Sequence, residues 1–169
     1  AVTHPEKVNK LVLANTVART NAWLKEIGQA WNLAAGNPEA YYATTIPVIY
    51  SPDFYDRKAD WMDRRKQLLT TTAFANPDFL SRMARLTRSA ESHDVTGRLH
   101  LIDCPTLIIS STQDHITPLE EQEYLREHIK DASHVIFPKT GHAAFYERPD
   151  AFVSVMMGFI NHQHRITVM

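Results

Sequence analysis

Two short segments of this 169-residue chain combine side chains suited to moving a proton: Ser111-Thr112-Gln113-Asp114-His115 and Lys139-Thr140-Gly141-His142. A carboxylate beside an imidazole orients the ring, fixes which nitrogen carries the proton, and stabilises the imidazolium formed when the ring takes a second one. Asp114 and His142 are therefore the candidate acid and base of a nucleophilic mechanism. Each has a plainer reading alone, since an aspartate after a strand usually begins a turn or a helix. Their shared placement is what counts. Asp114 follows the apolar run Thr106-Leu107-Ile108-Ile109-Ser110, and His142 follows His134-Val135-Ile136-Phe137. In an open parallel sheet the working groups lie just beyond the carboxyl ends of the strands. If the two runs are neighbouring strands, both side chains emerge at one edge. Gly141 lets the chain turn sharply there with no Cβ in the way.

The elements that must position this pair are legible from pattern. Lys10-Leu11-Val12-Leu13-Ala14 reads as a further buried strand, after a turn or helix end at His4-Pro5-Glu6. From about Thr20 to Ser92 the pattern is helical, with Trp23, Ile27, Ala30, Trp31 and Ala34 on one face and Gly36 placed to end that helix. Asn37-Pro38-Glu39, Ser51-Pro52-Asp53 and Asn76-Pro77-Asp78 are helix starts of one type: a capping side chain, a proline at the first helical position, then an acid favoured by the helix dipole. Thr117-Pro118-Leu119-Glu120 combines a proline at the first helical position with a capping box, predicting a helix to about Ile129. A last helix starts near Pro149, with Phe152, Val155, Met156, Phe159 and Ile160 in one stripe. Strands alternating with helices predict an α/β fold built on a parallel sheet, with a helical insert between two of its strands.

Composition narrows the function. Lys plus Arg is 18 against 19 for Asp plus Glu, so the basic excess that serves phosphate neutralisation is absent and no nucleic-acid partner is expected. No apolar run approaches the roughly 20 residues needed to span a bilayer, so no membrane partner is expected either. Cys104 is the only cysteine, which excludes an internal disulfide, a zinc ribbon and a CxxC redox pair. That usage and the lack of a visible secretory signal suit a reducing, cytoplasmic setting. Cys104 itself reads as a small buried hydrophobe. Asp94 is a weaker second acid, better placed to cap a helix or pair with Arg98. His162 and His164 resemble a metal pair only by type, so no metal is expected. Arg64-Arg65-Lys66 reads as a solvated helix face.

The run Leu107-Ile108-Ile109-Ser110-Ser111-Thr112-Gln113-Asp114-His115-Ile116-Thr117-Pro118, then Gly141-His142, then Glu147-Arg148-Pro149 with Phe152, resembles the C-terminal signature of the α/β-hydrolases. The opening His4-Pro5-Glu6-Lys7-Val8 and Lys10 to Thr16 are similar to the family's segment just past its nucleophile elbow. Within the superfamily the chain looks closest to enol-lactonase-like esterases and lactonases. The resemblance implies that Asp114 is the triad acid and His142 the triad base. It also implies residues 1–18 as the end of the post-elbow helix and a core strand, 19–92 as the cap or lid, and 93–169 as the C-terminal core. Trp23, Tyr50, Trp61, His115 and Ile116 are candidates to line the substrate site, since lids over such sites are commonly apolar.

The family's nucleophile sits in Gly-x-Ser-x-Gly, before the acid and the histidine in chain order. No serine here has a glycine two residues before it. The expectation is a C-terminal portion of a serine hydrolase of an ester or lactone, inactive by itself, without metal or organic cofactor. A single-domain enzyme of this kind has on the order of 250 residues. The same acid and histidine could serve a C–C hydrolase, a dehalogenase or an epoxide hydrolase, with the elbow residue deciding between them. A non-catalytic alternative is a sheet whose exposed edge docks another chain, either a second copy or the N-terminal half of the fold.

Overall fold

The computed structural model describes residues 1–162. Its sheet has the strands β1 (Leu11–Ala14), β2 (Thr106–Ser111) and β3 (Ala132–Phe137), all parallel, in the order β1-β2-β3. All of β2 is buried, which is why it reads as an unbroken apolar run: helices cover both of its faces. Ile108 points to one face, where it packs with Leu125 of helix α6 (Leu119–His128) and with Ile129. Leu107 and Ile109 point to the other, against Phe152, Val155, Met156 and Phe159 of helix α8 (Pro149–Asn161). The predicted stripe thus holds except at Ile160, which lies at its solvent margin. The strands themselves run slightly longer than predicted, β2 taking in Ser111 and β3 starting at Ala132.

Between β1 and β2 stand the helices α1 (Ala22–Ala34), α2 (Pro38–Ile49), α3 (Pro52–Arg57), α4 (Ala59–Thr71) and α5 (Pro77–Ala90). The three proline-bearing starts form as predicted: the side chains of Asn37, Ser51 and Asn76 each accept from backbone N–H groups of the first turn. Asn21 does the same for α1, accepting from the Leu24 amide. The predicted apolar face of α1 forms only in part, since Trp23 and Ala30 are exposed while Ile27, Trp31 and Ala34 turn inward. At the neck of the insert the chain ends meet. Thr20 N–H donates to His93 O at 2.9 Å and Val95 N–H to Ala18 O at 2.9 Å.

The insert has its own core of Tyr41, Tyr42, Ile46, Tyr50, Phe54, Met62, Phe74 and Leu80, and one residue from the histidine loop, Ala143, is part of it. That loop is therefore wedged under the insert. The Ala143 amide donates to Ile49 O at 3.0 Å, and a Cβ on Gly141 would lie 2.6 Å from both Ser51 N and Tyr50 C. Gly141 has a negative φ, so a left-handed turn is not what requires glycine. Close approach of the insert's backbone is.

The capping box predicted at Thr117 does not form. Pro118 is the N-cap of α6 and supplies no side-chain bond, while the Thr117 hydroxyl donates to Asp114 Oδ2 at 2.8 Å. After the histidine loop comes a one-turn helix that the pattern did not indicate, α7 (Ala144–Glu147). Two 3-10 turns, Pro5–Lys7 and Thr96–Leu101, complete the described elements. None of the described helices is long and apolar enough to cross a membrane.

Candidate active site

Because β2 and β3 are neighbours in parallel register, with Ser111 opposite Phe137, their carboxyl ends open at the same edge. There His142 Nδ1 lies 2.9 Å from Asp114 Oδ2. The Asp114 side chain is fully buried and that of His142 is 29% exposed. The burial contrast gives the pair a direction: the carboxylate is shielded behind the ring, and the ring reaches solvent.

Asp114 uses its two oxygens differently. Oδ1 accepts from the amides of Ile116 and Thr117, both at 2.8 Å, which closes the turn into α6. Oδ2 accepts from the Thr117 hydroxyl and faces the imidazole. With Nδ1–H donating to that carboxylate, the lone pair of the neutral ring resides on Nε2. Among the described residues no side chain hydrogen-bonds Nε2, so this nitrogen is positioned to take a proton from an approaching group.

The backbone of the histidine is held from β1. Asn15, at the carboxyl end of that strand, has φ of 43°, a left-handed conformation that asparagine adopts more readily than most residues. Its Nδ2 donates to His142 O at 2.6 Å, and its side chain also bonds the Ser111 hydroxyl at 3.2 Å. Asn15 was missed as a site residue, though the rule that found the other two loops applies to β1 as well. Gln122 of α6 ties the same edge together from below, its Nε2 donating to Thr16 O at 2.8 Å and Thr117 O at 3.0 Å.

The five candidate lining residues separate. Trp23 of α1 is 54% exposed and its indole N–H donates to His115 O at 2.9 Å, which brings Trp23 and His115 together on the acid loop. Ile116, next to them, is buried. Tyr50 is buried as well. It is 2% exposed, stacked on Phe54 at 5.3 Å and met edge-on by Trp61 at 6.1 Å. Trp61 also packs against Tyr146 of α7 and lines a surface groove of about 600 Å³ with Phe54, Arg64 and Tyr146. Neither Asp114 nor His142 lines that groove. In the basic run, Arg64 is exposed, but Arg65 is half-buried over the Trp61 and Tyr146 rings at 5.2 and 5.0 Å, and Lys66 pairs with Glu39.

Asp94 has a local task. Its Oδ1 accepts from the Thr96 amide and hydroxyl at 2.9 and 2.6 Å, and these bonds hold its carboxyl below the ordinary range. It closes a local turn one residue ahead of Val95, the N-cap of the 3-10 helix, and does not pair with Arg98. Cys104 is half-buried against the α6 side of the core. Among the described residues no group of three or more His, Cys, Asp or Glu is arranged to hold a metal ion. His164 lies outside the described residues.

Comparison with known proteins places this parallel sheet and its helices in a known fold. The family model of the alpha/beta hydrolase fold matches residues 1–149. The chain belongs to the α/β-hydrolase family. It superposes on MGS-M2, an alpha/beta hydrolase enzyme from a Medee basin deep-sea metagenome library, with a TM-score of 0.95 and 47% identity, over 99% of this chain and 62% of that one. The enol-lactonase of Burkholderia xenovorans LB400 shares the fold, with a TM-score of 0.78 at 20% identity, over 96% of this chain and 60% of that one. In sequence, a pimeloyl-[acyl-carrier protein] methyl ester esterase of Neisseria meningitidis is 27% identical, over 95% of this chain and 63% of the esterase. The chain thus spans about three-fifths of the length of these relatives.

Proposed function

We propose that this chain supplies the acid and the base, together with a helical cap formed by residues 19–92, of a serine hydrolase acting on a carboxylic ester or lactone. One observation carries the reading: His142 Nδ1 sits 2.9 Å from the buried carboxylate of Asp114 while the ring remains 29% exposed. The serine comes from a part of the fold beyond these 169 residues. Ser51, Ser110 and Ser111, the chain's three buried serines, are engaged with Glu147, His134 and Asn15 respectively.

In the complete site, Nε2 of His142 takes the hydroxyl proton as the serine oxygen attacks the substrate carbonyl. Asp114 holds the ring and stabilises the imidazolium. The same nitrogen then returns the proton to the leaving alkoxide, and water repeats the cycle on the acyl-enzyme. Protein side chains carry every proton in this scheme, so it needs no metal or organic cofactor. Trp23 and His115 stand over the acid loop, where the substrate's acyl or alcohol portion would pass, and Trp61 borders a groove further along the cap.

By itself the chain has an activated base and nothing for it to activate. Purified alone, it is expected to show no saturable hydrolysis of p-nitrophenyl esters. Saturable turnover abolished by His142→Gln would overturn this. The sequence encoded upstream of Ala1 discriminates within the fold. Gly-x-Ser-x-Gly within about twenty residues supports a serine esterase or lactonase, whereas an aspartate at that elbow points to a dehalogenase or epoxide hydrolase. A C–C hydrolase would share the serine and differ in substrate: turnover of a vinylogous diketone but of no simple ester would identify it.

A second reading, that the chain docks another, rests on the edge of the sheet. Among the described residues β1 is hydrogen-bonded to a strand on one side only, and such edges favour strand addition. The occupant we assign to it is the N-terminal half of the same fold, and a second copy of this chain is the alternative.

A further inference from the structure

Glu147 belongs to the segment that resembles the family signature, yet the reaction outlined above gives it no task. Its place in the structure is specific. Oε1 accepts from the Ser51 amide at 2.7 Å and from the Gly141 amide at 3.1 Å, and Oε2 accepts from the Ser51 hydroxyl at 2.6 Å. Ser51 is the N-cap of α3 and is fully buried. Gly141 immediately precedes His142. A single carboxylate therefore joins the α2–α3 corner of the insert to the residue before the imidazole.

The contacts around it make the connection stiff. On the other side of His142, the Ala143 amide donates to Ile49 O, again in the insert. Gly141 approaches the backbone of Tyr50 and Ser51 so closely that no Cβ fits between them. The peptide carrying the imidazole is thus fixed by the insert through both flanking amides and by Asn15 through its own carbonyl. Two of these bonds, to Ile49 and to Asn15, are direct. The third exists only while Glu147 bridges the gap, because the Gly141 and Ser51 amides are both donors and cannot bond each other.

From this geometry we infer that Glu147 is a positioning residue: it couples the seating of the helical insert to the alignment of His142 on Asp114. The inference rests on the reading of His142 as the catalytic base. When the insert is seated, Glu147 closes the loop and Nδ1–H points at the carboxylate. When the insert lifts, Glu147 loses both Ser51 donors, the Ala143 amide loses Ile49 O, and the ring loses its fixed orientation. The glutamate acts as an acceptor and its charge is secondary, since Oε1 alone receives both backbone amides.

The test uses the full chain and the ring nitrogens of His142, followed by ¹⁵N NMR above the imidazole's titration range and assigned by their loss in His142→Gln. The wild-type ring is expected as the Nδ1–H tautomer. Glu147→Leu, which keeps bulk and removes the acceptor, is expected to shift the ring toward a tautomer mixture and to speed exchange of the Gly141 amide about tenfold, the equivalent of one lost hydrogen bond. Glu147→Gln keeps a carbonyl oxygen for both amides and is expected to restore the wild-type tautomer. A packing role alone predicts the reverse sensitivity: a lowered Tm with an unchanged ring. Wild-type ring signals in folded Glu147→Leu would overturn the inference. If that variant fails to fold, Ser51→Ala, which removes the bond to Oε2 and the cap on the Phe54 amide but leaves both amide bonds to Oε1, serves instead, and unchanged Gly141 exchange there overturns it equally. A wild-type ring already in the Nε2–H tautomer and insensitive to Asp114→Asn would instead remove the acid–base reading itself.

Discussion

Asp114 satisfies two demands that looked like rivals in the sequence. As an ordinary turn residue it satisfies the Ile116 and Thr117 amides with Oδ1, and with Oδ2 it faces the imidazole, as the proposed ring-orienting acid must. One side chain cannot lose one role and keep the other unless the replacement preserves an oxygen at Oδ1. Asp114→Ala leaves buried donors unpaired, at roughly 1–3 kcal/mol each, so urea unfolding of the chain is expected to report a loss of that order. Asp114→Asn can keep Oδ1 as an acceptor while putting a donor where Nδ1–H points. Its stability cost should be smaller, yet in the complete enzyme kcat is expected to fall by about 10⁴, as when the acid of a Ser-His-Asp triad is neutralised. A second residue-scale prediction concerns His134. It lies opposite Ile108 on β3, with Nε2 2.6 Å from the buried hydroxyl of Ser110 two residues along β2, and burial lowers its pKa from the ordinary 6.5, with Glu123 opposing and Arg126 reinforcing the shift. The folded state therefore binds this proton less readily than the unfolded one. The stabilising contribution is complete above the unfolded value and is lost as pH falls through the depressed folded value. Tm measured from pH 7.5 down to 5 should decline less in His134→Gln than in wild type; parallel declines would refute the assignment.

At the scale of elements, what was legible depended on how local the partner is. The caps at Asn37, Ser51 and Asn76 bond amides two or three residues ahead, so composition and spacing suffice to read them. Thr117 has the same local signature, but the nearby carboxylate of Asp114 takes its hydroxyl. Gln122 and Glu147 were not legible as site residues because their partners Thr16 and Ser51 are brought close only by the fold, whereas Asn15 follows a strand as Asp114 and His142 do. Helix faces were legible in part for the same reason: on α1, Trp23 belongs to the helical stripe by spacing, yet its indole reaches out to His115 O. Gly28 shows a packing constraint that no spacing rule exposes. It sits where α1 crosses α5, and a Cβ there would lie 2.6 Å from Thr87 Cγ2. The Thr87 hydroxyl bonds Met83 O, so the methyl cannot simply rotate away. Gly28→Ala is expected to destabilise by about 1–3 kcal/mol, as overpacking does, despite alanine's higher helix propensity. Adding Thr87→Ser removes the methyl and keeps the hydroxyl. The double variant should recover most of the loss, and a loss that merely adds would show that the helix crossing is not the cause.

For the molecule as a whole, the three parallel strands and the two core faces followed from the order of apolar runs, while the completeness of the site did not. The helical insert and the histidine loop share one core through Ala143, and Lys10 fastens the region before β1 to the end of α8, its Nζ donating to Phe159 O at 2.8 Å and His162 O at 2.6 Å. Against this well-tied interior, apolar surface collects around one helix: Val153 and Met157 of α8 are about half exposed, and Phe145 and Tyr146 of α7 are similarly open. Contiguous apolar surface rimmed by polar groups marks contact sites more often than free surface. Together with the one-sided pairing of β1, it leads to an expectation about the isolated chain. Light scattering after size exclusion should show a mass above that of one chain, rising with concentration. Val153→Glu with Met157→Lys places two charges on α8 without touching the residues that face the sheet, and should return the chain to a monomer with an unchanged far-ultraviolet spectrum. Adding the separately produced N-terminal half of the fold should compete with self-association and restore ester hydrolysis in the mixture. A monodisperse monomer at high concentration that also ignores the N-terminal half would remove both the edge and the α8 face as contact surfaces.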